Sequence, residues 1–145
     1  MAVHVTVQDM MTRSVITLVE DDTLAEARSS MNRSHIRHLP VVRDNRLVGL
    51  VTQRDLLQAS YSLFAEGDSR QEQRLFASIP VRELMHEAVT VSPSTPAREA
   101  AALMLERKFG CLPVVNEGGV LLGIITEADF IQLAVRMLEA IEEEE

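Results

Sequence analysis

The most constraining feature of this 145-residue sequence is that one pattern occurs in it twice, with Met11 and Met85 marking an offset of 74 residues. Three matched pairs carry the repeat: 7–11 (VQDMM) with 81–85 (VRELM), 39–42 (LPVV) with 112–115 (LPVV), and 49–55 (GLVTQRD) with 123–129 (GIITEAD). Each copy is short for an independently stable domain. The chain is therefore expected to fold as two copies of one supersecondary unit that depend on each other.

Each copy predicts the order β-α-β-β-α after a short helical lead-in. The first strands are expected at 15–18 (VITL) and 89–91 (VTV), because both are rich in β-branched residues. The later two strands form a hairpin, with turn residues at 43–46 (RDNR) and 116–119 (NEGG). The fold class predicted is α/β, with a small mixed sheet in each repeat.

The repeat also predicts where the chain divides. The first repeat takes residues 1–58, a connector 59–78, the second repeat 79–138, and an acidic C-terminal tail 139–145. Apolar residues on both sides of a break at 66–69 (EGDS) predict that the connector packs against the protein.

Composition excludes several classes of function. The apolar fraction of 46% and charged fraction of 25% are average for soluble globular proteins. No signal peptide or long apolar segment is found, so the expected location is cytoplasmic and no membrane is expected as a partner. A net charge of −8 and an aromatic content of 3% argue against nucleic-acid binding. The single Cys111 is expected to be a small buried apolar residue.

Neither catalysis nor metal binding is predicted. His35 and His38 could share a helical face, but no cysteine or carboxylate cluster accompanies them. A P-loop is missing, and no nucleophile is placed near a base in a known pattern. We expect no enzyme activity and no required cofactor.

The last predicted helix indicates a partner surface. Its apolar residues recur at helical spacing beyond the second repeat's final aspartate, at Phe130, Leu133, Ala134, Met137, Leu138 and Ile141. A long helix of this kind on a small chain favours a homodimer.

These elements together resemble a pair of cystathionine-β-synthase-type (CBS) domains, often called a Bateman module. Both copies carry, in order, the opening methionine, the V-x-T-type strand, L-P-V-V and G-h-h-T-x-x-D, where h is apolar. The layout is also similar to small stand-alone CBS proteins of the acetoin-utilisation type, through 36–40 (IRHLP) and 110–113 (GCLP). The resemblance implies two repeats packed through their sheets about a pseudo-twofold axis. It further implies clefts between them that hold AMP, ADP, ATP or S-adenosylmethionine.

The resemblance gives Asp55 and Asp129 the role of accepting hydrogen bonds from ribose hydroxyls. The same residues also fit capping boxes with Thr52 and Thr126, which satisfy a helix start without any ligand. The two interpretations are compatible, because a helix N-terminus also favours phosphate. Each threonine would then cap its helix and touch ribose or phosphate.

The two copies differ where phosphate would lie. Three basic residues of the first copy correspond to uncharged residues at the matched positions of the second. They are Arg37, His38 and Arg54, which match Gly110, Cys111 and Ala128. Arg37 and His38 could equally be ordinary surface charge. If they do bind phosphate, one competent site is expected more readily than two.

Adenine, by the resemblance, lies near the first strand and the L-P hinge and is read mainly by main-chain groups. The residues concerned are Ile16, Thr17 and Leu39 in the first copy and Val89, Thr90 and Leu112 in the second. The leading hypothesis is a regulatory module in which an adenosine-type ligand changes conformation or contacts with an unidentified effector protein. The alternative is a constitutive dimerisation or scaffold protein that binds no ligand.

Overall fold

The helices and strands follow the order that the repeat predicts. The computed structural model describes residues 4–64 and 69–144, and residues 63 and 64 by their backbone alone. The helices are α1 (Val7–Met10), α2 (Leu24–Ser34), α3 (Gln53–Phe64), α4 (Ser69–Phe76), α5 (Ala97–Arg107) and α6 (Glu127–Glu143), with a 3-10 turn at Val81–Glu83. The strands are β1 (Leu18–Val19), β2 (His38–Arg43), β3 (Arg46–Thr52), β4 (Cys111–Val115) and β5 (Leu121–Thr126). Most of the predicted break, 66–68, lies outside the described residues.

Both copies are built on the predicted hairpin, which confirms the α/β class. In the first copy β1 pairs parallel to β2, and β2 pairs antiparallel to β3. The turn residues Asp44 and Asn45 have φ of 51° and 67°, as a two-residue hairpin turn of matching twist requires. In the second copy β4 pairs antiparallel to β5.

The first strand of each copy is shorter than predicted. Only Leu18 of 15–18 enters a strand, together with Val19. In the second copy, Val91 makes a single parallel bridge to Val114. Residues preceding these contacts run alongside no neighbouring strand within the described structure, and a strand forms only where such a neighbour supplies hydrogen bonds.

The chain forms two compact units that do not coincide with the sequence repeats. The central unit is Ile16–Ala88, and the terminal unit comprises the described residues up to Val15 and from Val89 onward. Each unit is completed by the lead-in of the other repeat. Boundaries at 58, 78 and 138 stay predictions about the sequence repeat, and α6 continues to Glu143, into the stretch expected to be a tail.

Backbone pairing fixes each exchanged lead-in on its hairpin. In the terminal unit, Thr12 and Ile124 exchange two N–H···O bonds of 2.9 Å each. In the central unit, Leu50 N–H donates to the His86 carbonyl at 2.9 Å, and His86 N–H donates back at 3.1 Å. The residue that follows each opening methionine is thus held at the edge of the other repeat's hairpin.

Each opening methionine packs over a glycine of the hairpin that it joins. A Cβ atom at Gly123 would lie 2.8 Å from Met11 Sδ, and one at Gly49 would lie 2.7 Å from Met85 Sδ. Both distances are shorter than van der Waals contact, so these glycines are needed for close approach and not for turn formation. The glycine of G-h-h-T therefore belongs to the same packing contact as the opening methionine.

Each unit has its own apolar core. The central core comprises Leu18, Leu24, Ala27, Met31, Leu39, Val41, Val51, Leu56, Phe76 and Val81. The terminal core comprises Val7, Met11, Ala100, Met104, Leu112, Val114 and Ile125. The terminal core thus includes residues from both ends of the chain.

Helix α4 anchors the connector to the central unit through Phe76, as predicted, whereas Tyr61 on the other side of the predicted break is 77% exposed. Phe76 is fully buried in the central core, and the Arg28 guanidinium lies 4.4 Å from the centre of its ring. Glu72 accepts from Arg28 at 2.6 Å and from the Ser60 hydroxyl at 2.9 Å. These two hydrogen bonds, with that from Arg28 first, lower the pKa of the Glu72 carboxyl.

Candidate functional site

Asp55 lies where β3 ends and α3 begins, and it forms the capping box that the sequence predicts. Thr52 N–H donates to Asp55 Oδ2 at 2.8 Å, and Asp55 N–H donates to Thr52 Oγ1 at 3.1 Å. The side chain is 19% exposed, so the carboxylate borders solvent. One oxygen is therefore committed to the helix start.

His86, from the lead-in of the second repeat, contacts the same carboxylate. Its Nε2 lies 3.0 Å from Asp55 Oδ2, which is an ion pair whenever the imidazole is protonated, and its side chain is 48% exposed. Both contacts of the Asp55 carboxylate therefore fall on Oδ2. Within residues 4–64 and 69–144, Oδ1 of Asp55 has no hydrogen-bond partner and could accept from another molecule.

Asp129 is the equivalent aspartate of the terminal unit, but the contacts and the exposure of its carboxylate differ. Thr126 N–H donates to its Oδ2 at 2.8 Å, and Thr12 Oγ1 donates to its Oδ1 at 3.2 Å. Asp129 is only 9% exposed. Because both of its oxygens already accept hydrogen bonds and it is buried, Asp129 is less available to a ligand than Asp55.

The predicted basic residues group around the start of α3. The Arg37 carbonyl accepts from Gln53 N–H at 2.8 Å, as the Gly110 carbonyl accepts from Glu127 N–H at 3.3 Å in the terminal unit. Arg37 therefore occupies the position that Gly110 has in the other copy. His38 begins β2 opposite Thr52 and is half-buried.

Arg54 lies in the first turn of α3 and is exposed. Its side chain lines a shallow surface depression together with other residues of the same helix, which are Gln53, Leu57, Gln58, Tyr61 and Ser62. The first turn of α3 thus carries one exposed cation next in sequence to Asp55.

The residues predicted to contact adenine fall into two groups. Ile16 and its counterpart Val89 are each 41% exposed, and Thr17 and Thr90 are also exposed. Leu39 and Leu112 are fully buried in the two cores. Their side chains face away from solvent, so only the main chain of these two leucines is left to meet a ligand.

Cys111 is buried at the start of β4, with 5% exposure. Burial raises the pKa of its thiol to about 12, because an apolar surrounding disfavours the thiolate. The thiol therefore stays protonated and behaves as a small apolar core residue, as the sequence predicted.

Two residues beside the carboxylates could not be found from the sequence. Thr12 and His86 are equivalent in the repeat, since each follows an opening methionine, and each contacts the aspartate of the other repeat. The repeat alone does not reveal which copy's lead-in meets which hairpin. The only available signal was that this position differs between the copies.

No described helix is both long and apolar enough to cross a membrane. Within the described part of the chain, no three histidine, cysteine or acidic side chains come together as a metal site.

Known proteins match this chain along most of its length. The family model for the CBS domain matches residues 7–62 and 81–136. A CBS domain-containing protein of Dictyostelium discoideum is 34% identical over 139 residues, which cover 94% of this chain and 96% of that protein.

Two solved structures are also similar. A protein of Vibrio cholerae assigned to acetoin utilization (AcuB) has a TM-score of 0.79 and 42% identity, with 99% of both chains covered. The structure of CBSX2 in complex with AMP has a TM-score of 0.76 and 31% identity, with 91% of this chain and 97% of that chain covered.

Proposed function

We propose, from the premise that this chain belongs to the CBS-domain family, that it is a regulatory module that binds an adenosine-type ligand: AMP, ADP, ATP or S-adenosylmethionine. The observation that carries the proposal is the partly exposed Asp55 carboxylate, whose Oδ1 has no partner among the described residues. A carboxylate oxygen at a helix start can accept a hydrogen bond from a ribose hydroxyl. The similar CBSX2 structure contains AMP, which supports the ligand class.

We place the rest of the proposed site around the start of α3 in the central unit. Ribose is bound by Asp55 and Thr52, and phosphate by the first turn of α3, where Arg37 and Arg54 add positive charge. Adenine lies against Ile16 and its neighbour Thr17, with main-chain groups near Leu39 reading its edge. His38 contributes at the phosphate end.

The counterpart residues of the terminal unit are Asp129, Thr126, Val89, Thr90 and Leu112. Because Asp129 is buried and already accepts hydrogen bonds on both oxygens, we place the preferred site at Asp55. Binding there favours one conformation of the chain, and the output is an altered contact with an unidentified effector protein in the cytoplasm. The module itself catalyses no reaction.

Calorimetric titration of the full chain with AMP, ATP and S-adenosylmethionine tests the proposal. A ligand at 100 times its Kd is expected to stabilise the fold by about 2.7 kcal/mol, seen as a rise in Tm. If neither heat nor a thermal shift appears at millimolar ligand, the sensor function is wrong. The constitutive scaffold is then the better description.

A homodimer is the second part of the proposal, and the exposed face of α6 supports it. Ile131, Val135 and Leu138 lie at helical spacing on one face and are 63%, 49% and 57% exposed. Three exposed apolar side chains in one stripe are typical of a surface covered by a partner. We propose that the partner is a second copy of this chain.

Light scattering after size exclusion is expected to give the mass of a dimer for the wild-type chain and of a monomer for Leu138→Glu. Leu105→Glu is the matched control, because Leu105 is 82% exposed but lies on α5, outside this face. A wild-type monomer, or a Leu138→Glu dimer, would contradict the proposed interface.

A further inference from the structure

The charge around the two equivalent aspartates is unequal. At five matched positions the central unit has Arg37, Gln53, Arg54, Asp55 and His86, and the terminal unit has Gly110, Glu127, Ala128, Asp129 and Thr12. At these positions the central unit thus has two arginines, one imidazole and one carboxylate. The terminal unit has two carboxylates and, at these positions, no cation.

His86 differs from the two arginines because it touches the carboxylate directly. The contact of 3.0 Å between its Nε2 and Asp55 Oδ2 is on the oxygen that also accepts from Thr52 N–H. The carboxylate is therefore held by one edge, and Oδ1 is left for a ribose hydroxyl. Its counterpart Thr12 instead occupies Oδ1 of Asp129 and brings no charge.

The position of His86 is set by the backbone and not by the ion pair. Its N–H and carbonyl both pair with Leu50, and its Nδ1 lies 3.1 Å from the carbonyl of Glu87. A substitution of this half-exposed side chain therefore changes the group beside Asp55 while the lead-in stays on the hairpin.

We infer that His86 is a positioning residue that makes the central unit selective for a phosphate-bearing adenosine over adenosine itself or the cationic S-adenosylmethionine. The inference rests on the proposed function and deepens it. His86 holds the Asp55 carboxylate with Oδ1 free and offsets its negative charge. An anionic ligand then meets the two arginines without facing an uncompensated carboxylate.

The test compares His86→Gln with the wild-type chain by calorimetric titration with AMP, adenosine and S-adenosylmethionine. His86→Gln is expected to weaken AMP binding about two- to fivefold, the range of a partly exposed charge pair. Adenosine makes the same ribose contact but brings no phosphate, so it should lose less affinity than AMP, and the ratio of the two affinities should fall in the variant.

His35→Asn is the matched control, because it removes an exposed imidazole at the end of α2 from a left-handed backbone position that asparagine also accepts. It should bind AMP as wild type does. An unchanged AMP affinity, or an unchanged ratio of AMP to adenosine affinity, in His86→Gln would overturn this inference and leave the proposed function standing. A wild-type chain that binds none of the three ligands would overturn both.

Discussion

Replacing Asp55 with alanine is expected to weaken AMP binding about 10- to 150-fold, measured by calorimetry. The reason is that the carboxylate supplies a charge-assisted hydrogen bond to ribose, which is worth roughly 1.5–3 kcal/mol. The substitution also removes a capping box, which costs about 0.5–2 kcal/mol of unfolding free energy. Thermal unfolding of the same sample therefore has to show that the variant is folded.

Asp129→Ala is the matched control for the carboxylate. It removes a capping box of the same kind from α6, but its carboxylate is buried and already accepts hydrogen bonds on both oxygens. Its affinity for AMP should stay close to wild type. If Asp55→Ala binds AMP as wild type does while both variants fold, the two aspartates serve only as caps.

Phe76→Ala is expected to cost about 3–5 kcal/mol of unfolding free energy, because it empties a fully buried aromatic site. The expected fall in Tm is on the order of 10 °C. Arg28 also loses the ring that it contacts. Urea denaturation followed by circular dichroism measures the change in free energy.

Leu75→Ala, at the neighbouring position of α4, is the control because Leu75 is 37% exposed. Its cost should be a small fraction of that of Phe76→Ala, since much of the leucine surface is already in water. If the two variants were equally stable, α4 would not be part of the central core. The connector would then be a linker.

Much of the fold could be predicted because local chemistry determines it. The turn at Asp44 and Asn45 needs residues that tolerate positive φ, and the Thr52–Asp55 spacing is that of a capping box. The comparisons confirm both the CBS pair and its similarity to an acetoin-utilization protein. The candidate carboxylates were found because they belong to these local patterns.

What the sequence could not predict depends on pairing between distant segments. Met11 and Met85 occupy equivalent places, so each could pack on either glycine without changing the repeat. The contacts of Thr12 and His86 follow from that choice, and so does the difference between the two carboxylates.

Because the lead-ins are exchanged, the central unit can fold before the terminal unit during synthesis on the ribosome. The central unit is one continuous stretch and can fold as soon as Ala88 has emerged. The terminal unit instead joins residues as far apart as Thr12 and Asp129, a separation of 117, which takes on the order of ten seconds to translate. During that interval Val7 and Met11 have no core to enter, so the segment around them stays accessible to chaperones and proteases.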